Sequence, residues 1–344
     1  MSRLIIFFSF LLVVLSPLGA KKPSKNAPPT WVTEPSLVYS SNEYIIELGE
    51  GNSQKEADNK AIEGLAAIFN RSIQSQTNAT MDYSEGASGA RKNKKLKQKV
   101  KVSTNVEGLI GVEIKERWKA KDGTYYALAV MEISKGRSIY GEKANSCIKA
   151  IDNFFSVTND QRNTFYEYFR ASSAISKAQE LLVYAAYLSV LDPSGNRNWD
   201  SYFPEAIKLR TSELAKNIYV SVNIEGEDAS SLQAIFEKVF SKRGFSVSKD
   251  GNSRYVLNVV LDLQEPEELS RGRVSIHYTL QVELLDTVLD ETVLPFNLDG
   301  RETMFNEKAT KNKIFKNLEK KVKDVFDASF AKYIEEDPKS KKKE

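Results

Sequence analysis

Apolar and polar positions alternate with period two from Tyr44 to Leu48, with Tyr44, Ile46 and Leu48 on one face and Ile45 and Glu47 on the other. That is the pattern of a strand with one buried face. Gly49 and Gly51 follow, where the chain is expected to turn because a Cβ would clash. The period then lengthens: Ala57, Ala61, Leu65, Ile68 and Phe69 share one helical face, with Lys55, Asp58, Asn59 and Glu63 opposite. Ser53 and Glu56 at its start have the spacing of a capping box. The hydroxyl would accept the third helical N–H, and the carboxylate would reach back to the Ser53 N–H. Alanines four residues apart would let this helix sit close to a sheet.

Asn70 to Lys95 is polar and weakly patterned and reads as a loop. Two strands come next. Ile110, Val112, Ile114 and Trp118 are expected on one face, with Glu113, Lys115 and Arg117 on the other. Asp122-Gly123 supplies a hairpin turn, and Tyr125 to Ile133 is apolar enough on both faces for a central strand. A helix from about Ser138 aligns Tyr140, Ala144, Cys147, Ile148 and Ile151. Asn159 to Leu191 reads as helical throughout, and the two together read as a helical hairpin, a spacer or docking arm. Asp192-Pro-Ser-Gly-Asn ends it, and a short helix follows from Pro204.

A second unit starts near Ile218 with the alternation of Ile218, Val220, Val222 and Ile224. A helix with Leu232, Ile235, Phe236, Val239 and Phe240 inward stops at Gly244. Phe245–Val247, a turn at Asp250-Gly251, and strands around Tyr255–Leu263, Val274–Leu285 and Glu291–Phe296 are expected to form an antiparallel meander. A final helix, about Asn306 to Ile334, carries Ile314, Leu318, Val322, Val325, Phe326, Phe330 and Tyr333. The fold class predicted is therefore α+β: two small sheet-plus-helix domains joined by a helical hairpin. The expected domains are a signal peptide at 1–20, a flexible tether at 21–35, an α+β domain at 36–137, a hairpin and linker at 138–216, a second α+β domain at 217–334 and a basic tail at 335–344.

The address is read from the first residues. Arg3, the apolar run from Leu4 to Leu15 and the Pro17-Leu-Gly-Ala exit have the layout of a secretory signal. The run is too short for a comfortable membrane span. The only cysteine of the chain is Cys147, so an unlipidated, exported, periplasmic product is expected, with an uncleaved N-terminal anchor as the alternative. Net charge is +3, but Arg3, Lys21, Lys22, Lys25, Lys339, Lys341, Lys342 and Lys343 supply the excess. Without these ends acidic residues outnumber basic ones, which argues against nucleic acid as a partner.

Candidate chemistry is sparse. The turn Gly49-Glu50-Gly51 before a helix could hold a phosphate, but it lacks a third glycine and a Lys-Ser/Thr pair, and Glu50 would repel the ligand. His277 is the only histidine, so no metal cluster and no Ser/His or Cys/His nucleophile can be assembled. It reads as a residue of a solvated strand face, and Cys147 as a buried small hydrophobe. Glu265, Glu267 and Glu268 cluster around Pro266 in a turn. Tyr125-Tyr126 could form a sugar-binding patch but reads as cross-strand packing. From Arg91 to Lys101 seven of eleven residues are basic: Arg91, Lys92, Lys94, Lys95, Lys97, Lys99 and Lys101. These would either bind an anionic surface or form a solvated loop and a lysine-faced edge strand.

Pro29-Thr30-Trp31, the spacing Gly49-x-Gly51-x-Ser53-x-x-x-Ala57-x-x-x-Ala61, and Asp122-Gly123-x-Tyr125-Tyr126-Ala127-Leu128-Ala129 together resemble the LPP-twenty family of bacterial lipoproteins. The same module is similar to the N-terminal domain of FlgT, a periplasmic protein of the flagellar motor. The second α+β unit resembles, in element order, the middle domain of FlgT and the N-terminal domain of TolB. The resemblance covers about residues 31–133 and implies an envelope location and protein–protein assembly, without catalytic residues. Many members carry a lipid on a cysteine that this chain lacks. The function expected is a non-catalytic, exported envelope protein with envelope proteins, flagellar basal-body components or its own copies as partners, and with no cofactor and no metal. The alternative is a module binding peptidoglycan, anionic lipid or polysaccharide through residues 91–101, with peripheral membrane contact.

Overall fold

The computed structural model describes residues 27–87, 109–225, 229–248 and 253–335. The expected signal peptide, the Arg91–Lys101 run, the Asp250-Gly251 turn and the basic tail from residue 336 on lie outside them. The chain is α+β and divides into two compact units, one made of residues up to Ala66 with Val112–Glu132, the other of Ala67–Gly111 with Ile133 onward.

The first unit begins with two single helical turns, α1 (Thr30–Thr33), inside the stretch expected to be a flexible tether, and α2 (Pro35–Val38), where the first domain was expected to start. Trp31 is the reason: its indole is buried against Leu128 and Val130, together with Tyr39. The sheet has the order β1-β3-β2, from β1 (Tyr44–Gly51), β2 (Val112–Lys119) and β3 (Tyr125–Glu132), all antiparallel. β3 is central, as its apolar character predicted. Tyr44, Ile46 and Leu48 face the cluster of Trp31 and Tyr39. A bulge between Ile114 and Glu116 changes the parity of β2. Trp118 consequently lies with Tyr126 over the Trp31 cluster, opposite the face of Val112 and Ile114, rather than beside them as strict alternation suggested.

Gly49 and Gly51 lie inside β1 and do not make a left-handed turn; neither has a positive φ. Their role is close approach. A Cβ on Gly49 would stand 2.0 Å from the Ala57 carbonyl oxygen and 2.4 Å from the Ala61 nitrogen. One on Gly51 would stand 2.8 Å from the Ala57 nitrogen. The helix α3 (Gln54–Ala87) presses Ala57, Ala61 and Leu65, all fully buried, onto this unit. It continues through the stretch expected to be a loop. The buried stripe extends through Phe69, Ile73 and Thr77 at a spacing of four, which polar neighbours such as Asn70, Arg71 and Gln74 disguise in the sequence.

In the second unit the later part of α3 packs through Phe69 on Tyr187 (ring centroids 5.2 Å) and donates the Ser72 hydroxyl to the Ala186 carbonyl (2.8 Å). The helix α4 runs from Ile133 to Phe155, starting earlier than expected. Asn159–Gln161 is a separate 3-10 turn rather than the start of the next helix. Asn163 takes φ 56° there, and Thr164 caps α5 (Phe165–Leu191) by accepting the Glu167 N–H at 3.1 Å. The α4–α5 pair is no spacer. Phe165 and Phe169 of α5 are core residues of the sheet that follows, packed with Phe245 and Tyr255.

That sheet comprises β4 (Tyr219–Glu225), β5 (Ser246–Ser248), β6 (Tyr255–Leu263), β7 (Glu267–Leu269), β8 (Arg273–Asp286) and β9 (Glu291–Met304). Its order is β5-β4-β6-β8-β7, with β9 also on β8. It is mixed, where a plain antiparallel meander was expected, because β4 runs parallel to both β5 and β6. After α6 (Pro204–Lys216), the helix α7 (Ala229–Ser241) carries the chain from β4 to a parallel neighbour, as a crossover requires. The helix α8 (Glu307–Glu335) closes the core with Ile314, Leu318, Val322 and Phe326, all fully buried.

Close approach at Gly49 makes a sharp prediction. Gly49→Ala places a methyl against backbone that cannot yield, and it is expected to destabilise the protein by about 3 kcal/mol or more. Gly141→Ala in α4, where a Cβ meets nothing within 4 Å, is expected to be neutral or stabilising by up to about 1 kcal/mol. Urea midpoints of the two variants measure the contrast.

Candidate functional site

The residues singled out around the first helix come together at the β1–α3 junction. The Ser53 hydroxyl accepts the Glu56 N–H at 3.2 Å, as a capping box requires. The Glu56 carboxylate accepts the N–H of Asn52 at 2.9 Å, one residue earlier than the spacing suggested. Lys60, at 2.9 Å, holds the Glu56 carboxyl below its usual value, with the Asn52 N–H as the second cause. The Asn52 and Glu56 amides of this junction are thus bonded within the chain, and the two glycines pack against the helix instead of a ligand. Gly49, Gly51, Ser53, Glu56, Ala57 and Ala61 form a packing and capping motif.

Around this junction two polar contacts fix the helix and the N-terminal turns to the sheet. Arg117 on β2 forks onto the Asp58 carboxylate of α3, with Nε 3.1 Å from Oδ1 and Nη2 3.1 Å from Oδ2. The Tyr39 hydroxyl donates to Glu116 at 2.9 Å. Neither was read from the sequence; the signal available was only Arg117 on a strand face that alternation placed in solvent. Tyr126 stacks at a tilt on Trp118 (5.5 Å) and Lys119 lies over the Tyr125 ring (4.6 Å), so the tyrosine pair is engaged in cross-strand packing.

Other candidates are scattered. Cys147 is buried on α4, its Sγ 3.8 Å from Glu180 Oε2, and burial pushes the thiol up. His277 is partly buried on the outer face of the second sheet, and its Nδ1 is buried without a hydrogen-bond partner, whereas a solvated ring was expected. Glu267 belongs to the short strand β7 and pairs with Arg301; Glu265 and Glu268 are exposed. Arg301 also donates to Ser275 at 2.7 Å. Among the described residues no group of three or more His, Cys, Asp or Glu is placed to hold a metal ion, and no helix is long and apolar enough to cross a membrane. Arg91, Lys92, Lys94, Lys95, Lys97, Lys99 and Lys101 lie outside the described residues.

The N-terminal strand, the glycine approach to an alanine-faced helix and the Tyr-Tyr hairpin together make a recognisable module. Residues 29–132 match the LPP20 lipoprotein family. The LPP20 match spans just under a third of the chain. No curated protein matches the chain. Among solved structures, the secreted protein HP1454 from Helicobacter pylori is similar over 73% of this chain and 85% of its own, at 14% identity and a TM-score of 0.38. A minor lipoprotein from Acinetobacter baumannii is similar over 33% of this chain and 94% of its own, at 14% identity and a TM-score of 0.27. Lipoprotein GNA1162 from Neisseria meningitidis is similar over 32% and 99%, at 11% identity and a TM-score of 0.25. Because the LPP20 family is one of lipoproteins, the match lends no support to the unlipidated product expected from the sequence.

Two titration predictions follow from the geometry. Burial, reinforced by Glu116, pushes the Tyr39 phenol up to about 12, and burial, with Tyr187 and Tyr184 as lesser causes, does the same for Tyr140. The folded state therefore favours the neutral phenols. Their contribution to stability is complete below an unfolded value of about 10 and is lost as the pH rises through about 12. Ultraviolet titration should show these two rings ionising last, together with alkaline unfolding, and Tyr39→Phe should remove one of them. For Cys147, reaction with a soluble disulfide reagent should be at least about tenfold slower in native protein than in denaturant.

Proposed function

We propose that the protein is an envelope-associated, non-catalytic assembly factor that acts through contacts with other proteins. The observation that carries this reading is the LPP20 match over residues 29–132, to a family described as lipoproteins. The geometry of that region supports it. Its glycines, alanines, cap and ion pair are engaged in packing α3 on the sheet, which suits a module that docks as a rigid body. The sharper version, a ring or accessory component of the flagellar motor, rests on the resemblance of the same residues to the FlgT N-terminal domain. A second reading, an anionic ligand held by Arg91–Lys101, is favoured by the charge of that run.

Quantitative mass spectrometry of purified flagellar basal bodies against the remaining envelope fraction tests the leading reading. Strong enrichment in basal bodies is the expected outcome. Even distribution through the envelope would remove the flagellar version, and recovery outside the envelope altogether would remove the proposal.

A further inference from the structure

The last helix carries a feature that the family match does not touch. On α8, Lys313, Lys316, Lys320 and Lys323 follow one another at spacings of three, four and three, so they form a single stripe. The stripe lies opposite the buried row of Ile314, Leu318, Val322 and Phe326, and all four lysines are exposed. It runs about 15 Å along the helix axis. Beside it, α7 contributes exposed Lys238, and the turn that follows α7 contributes exposed Lys242. The Lys238–Glu319 ion pair ties the two helices together at this point. Lys238 first, and then the field of Lys242, hold the Glu319 carboxyl below its usual value. Glu319 is therefore already matched to Lys238; the sequence places Asp324 four residues after Lys320 and Asp327 four residues after Lys323. Among the described residues the four stripe lysines and Lys242 have no ion-pair partner.

We propose that this face of α7 and α8 is an electrostatic docking surface for a bilayer displaying anionic headgroups. Three features select that occupant. The exposed basic residues of the patch are all lysines, compact point charges on flexible stems, while the neighbouring Arg243 is partly buried over Phe326 and donates to the Val239 carbonyl. The patch lies on exposed helix surface with the ammonium groups on one side, which suits a plane of laterally mobile charges. The stripe has no aromatic side chain on which a base could stack, as a single-stranded nucleic acid would need. Each lysine brought near such a surface adds to the attraction, and the sum is screened within a Debye length. The inference rests on surface charge and is independent of the family reading.

The test is co-sedimentation of the full chain with vesicles of phosphatidylcholine alone and of phosphatidylcholine with about 30% phosphatidylglycerol, enough to give a strongly negative surface. The expected result is binding that requires phosphatidylglycerol and is released by raising the salt. Lys313→Glu, Lys316→Glu, Lys320→Glu and Lys323→Glu combined should weaken it by at least about tenfold. The four Lys→Gln changes, with circular dichroism as the check on folding, should weaken it less but in the same direction. Charge reversal at Lys94, Lys95, Lys97 and Lys99 serves as the control for the other basic run. Equal binding to both vesicle types, unchanged binding of the α8 variants, or a loss confined to the Lys94–Lys99 variant would overturn the proposal. Binding to soluble heparin without binding to vesicles would overturn it too.

Discussion

The backbone of α3 lies so near β1 that one methyl group at position 49 would stand 2.0 Å from the Ala57 carbonyl oxygen. Two glycines on the strand and two alanines on the helix make this approach sterically possible, and the remaining features of the unit follow from it. With helix and strand in such contact there is little room for large apolar side chains between them. Where α3 comes closest the sheet face is accordingly small, with Ala127 paired to Gly49 and Ala129 to Glu47, and the larger Met131 of the same face lies farther along, paired to Ile45. Bulky side chains are displaced to the other face, where Leu48, Leu128, Val130, Trp118 and Tyr126 need a cover of their own. Trp31 and Tyr39 provide it. The N-terminal turns are thus required by the same constraint that places the glycines, and Arg117 on Asp58 fixes the helix where the packing puts it.

The second unit solves a different problem, that of covering a mixed sheet with helices on one face. Its core is organised around Phe165, whose ring meets Phe169, Phe245 and Tyr255, and whose N–H is bonded to the Tyr255 hydroxyl at 3.2 Å. Aromatic contacts of this kind are worth about 0.5–1.5 kcal/mol each beyond their area. Phe165 stands at the first position of α5, so the capping of that helix by Thr164 and the packing of the sheet are fixed at one point in the chain. A helix pair tied in this way is part of the domain.

Much of this was legible in the sequence, for identifiable reasons. Element type came through wherever period and length agreed, as in β1, β3, β6 and the buried row of α8. The hydroxyl half of the cap was legible because Ser53 and Glu56 state it locally, whereas the carboxylate half falls on Asn52 and not on Ser53. What failed depended on contacts distant in sequence. The reach of α3 past Asn70 depends on Phe69 meeting Tyr187, and a polar surface hides the stripe. The parity of β2 depends on a bulge at Lys115, which alternation cannot see. Gly49 and Gly51 were noticed but explained by the wrong property, since glycine permits both unusual φ and close approach and only the structure separates the two. The Tyr39–Glu116 bond spans 77 residues and had no local signature.

The distribution of charge has a logic that joins both units. Where a charged side chain lies against the body of the protein it is matched: Asp58 by Arg117, Asp286 by the two-pronged grip of Arg254 at 2.8–2.9 Å, Glu116 by the Tyr39 hydroxyl. Asp286 also accepts the N–H groups of Val288 and Leu289, so its buried carboxylate sets the shape of the β8–β9 turn. Removing Arg254 would leave the buried Asp286 carboxylate without its partner, which is why this pair holds the fold rather than awaits a ligand. The lysines of the α8 stripe are the opposite case. Among the described residues they have no ion-pair partner, they repel one another at helical spacing, and a run of like charge on one face carries a small cost to the helix. A face that weakens its own helix is one whose charge is better accounted for by something outside the chain.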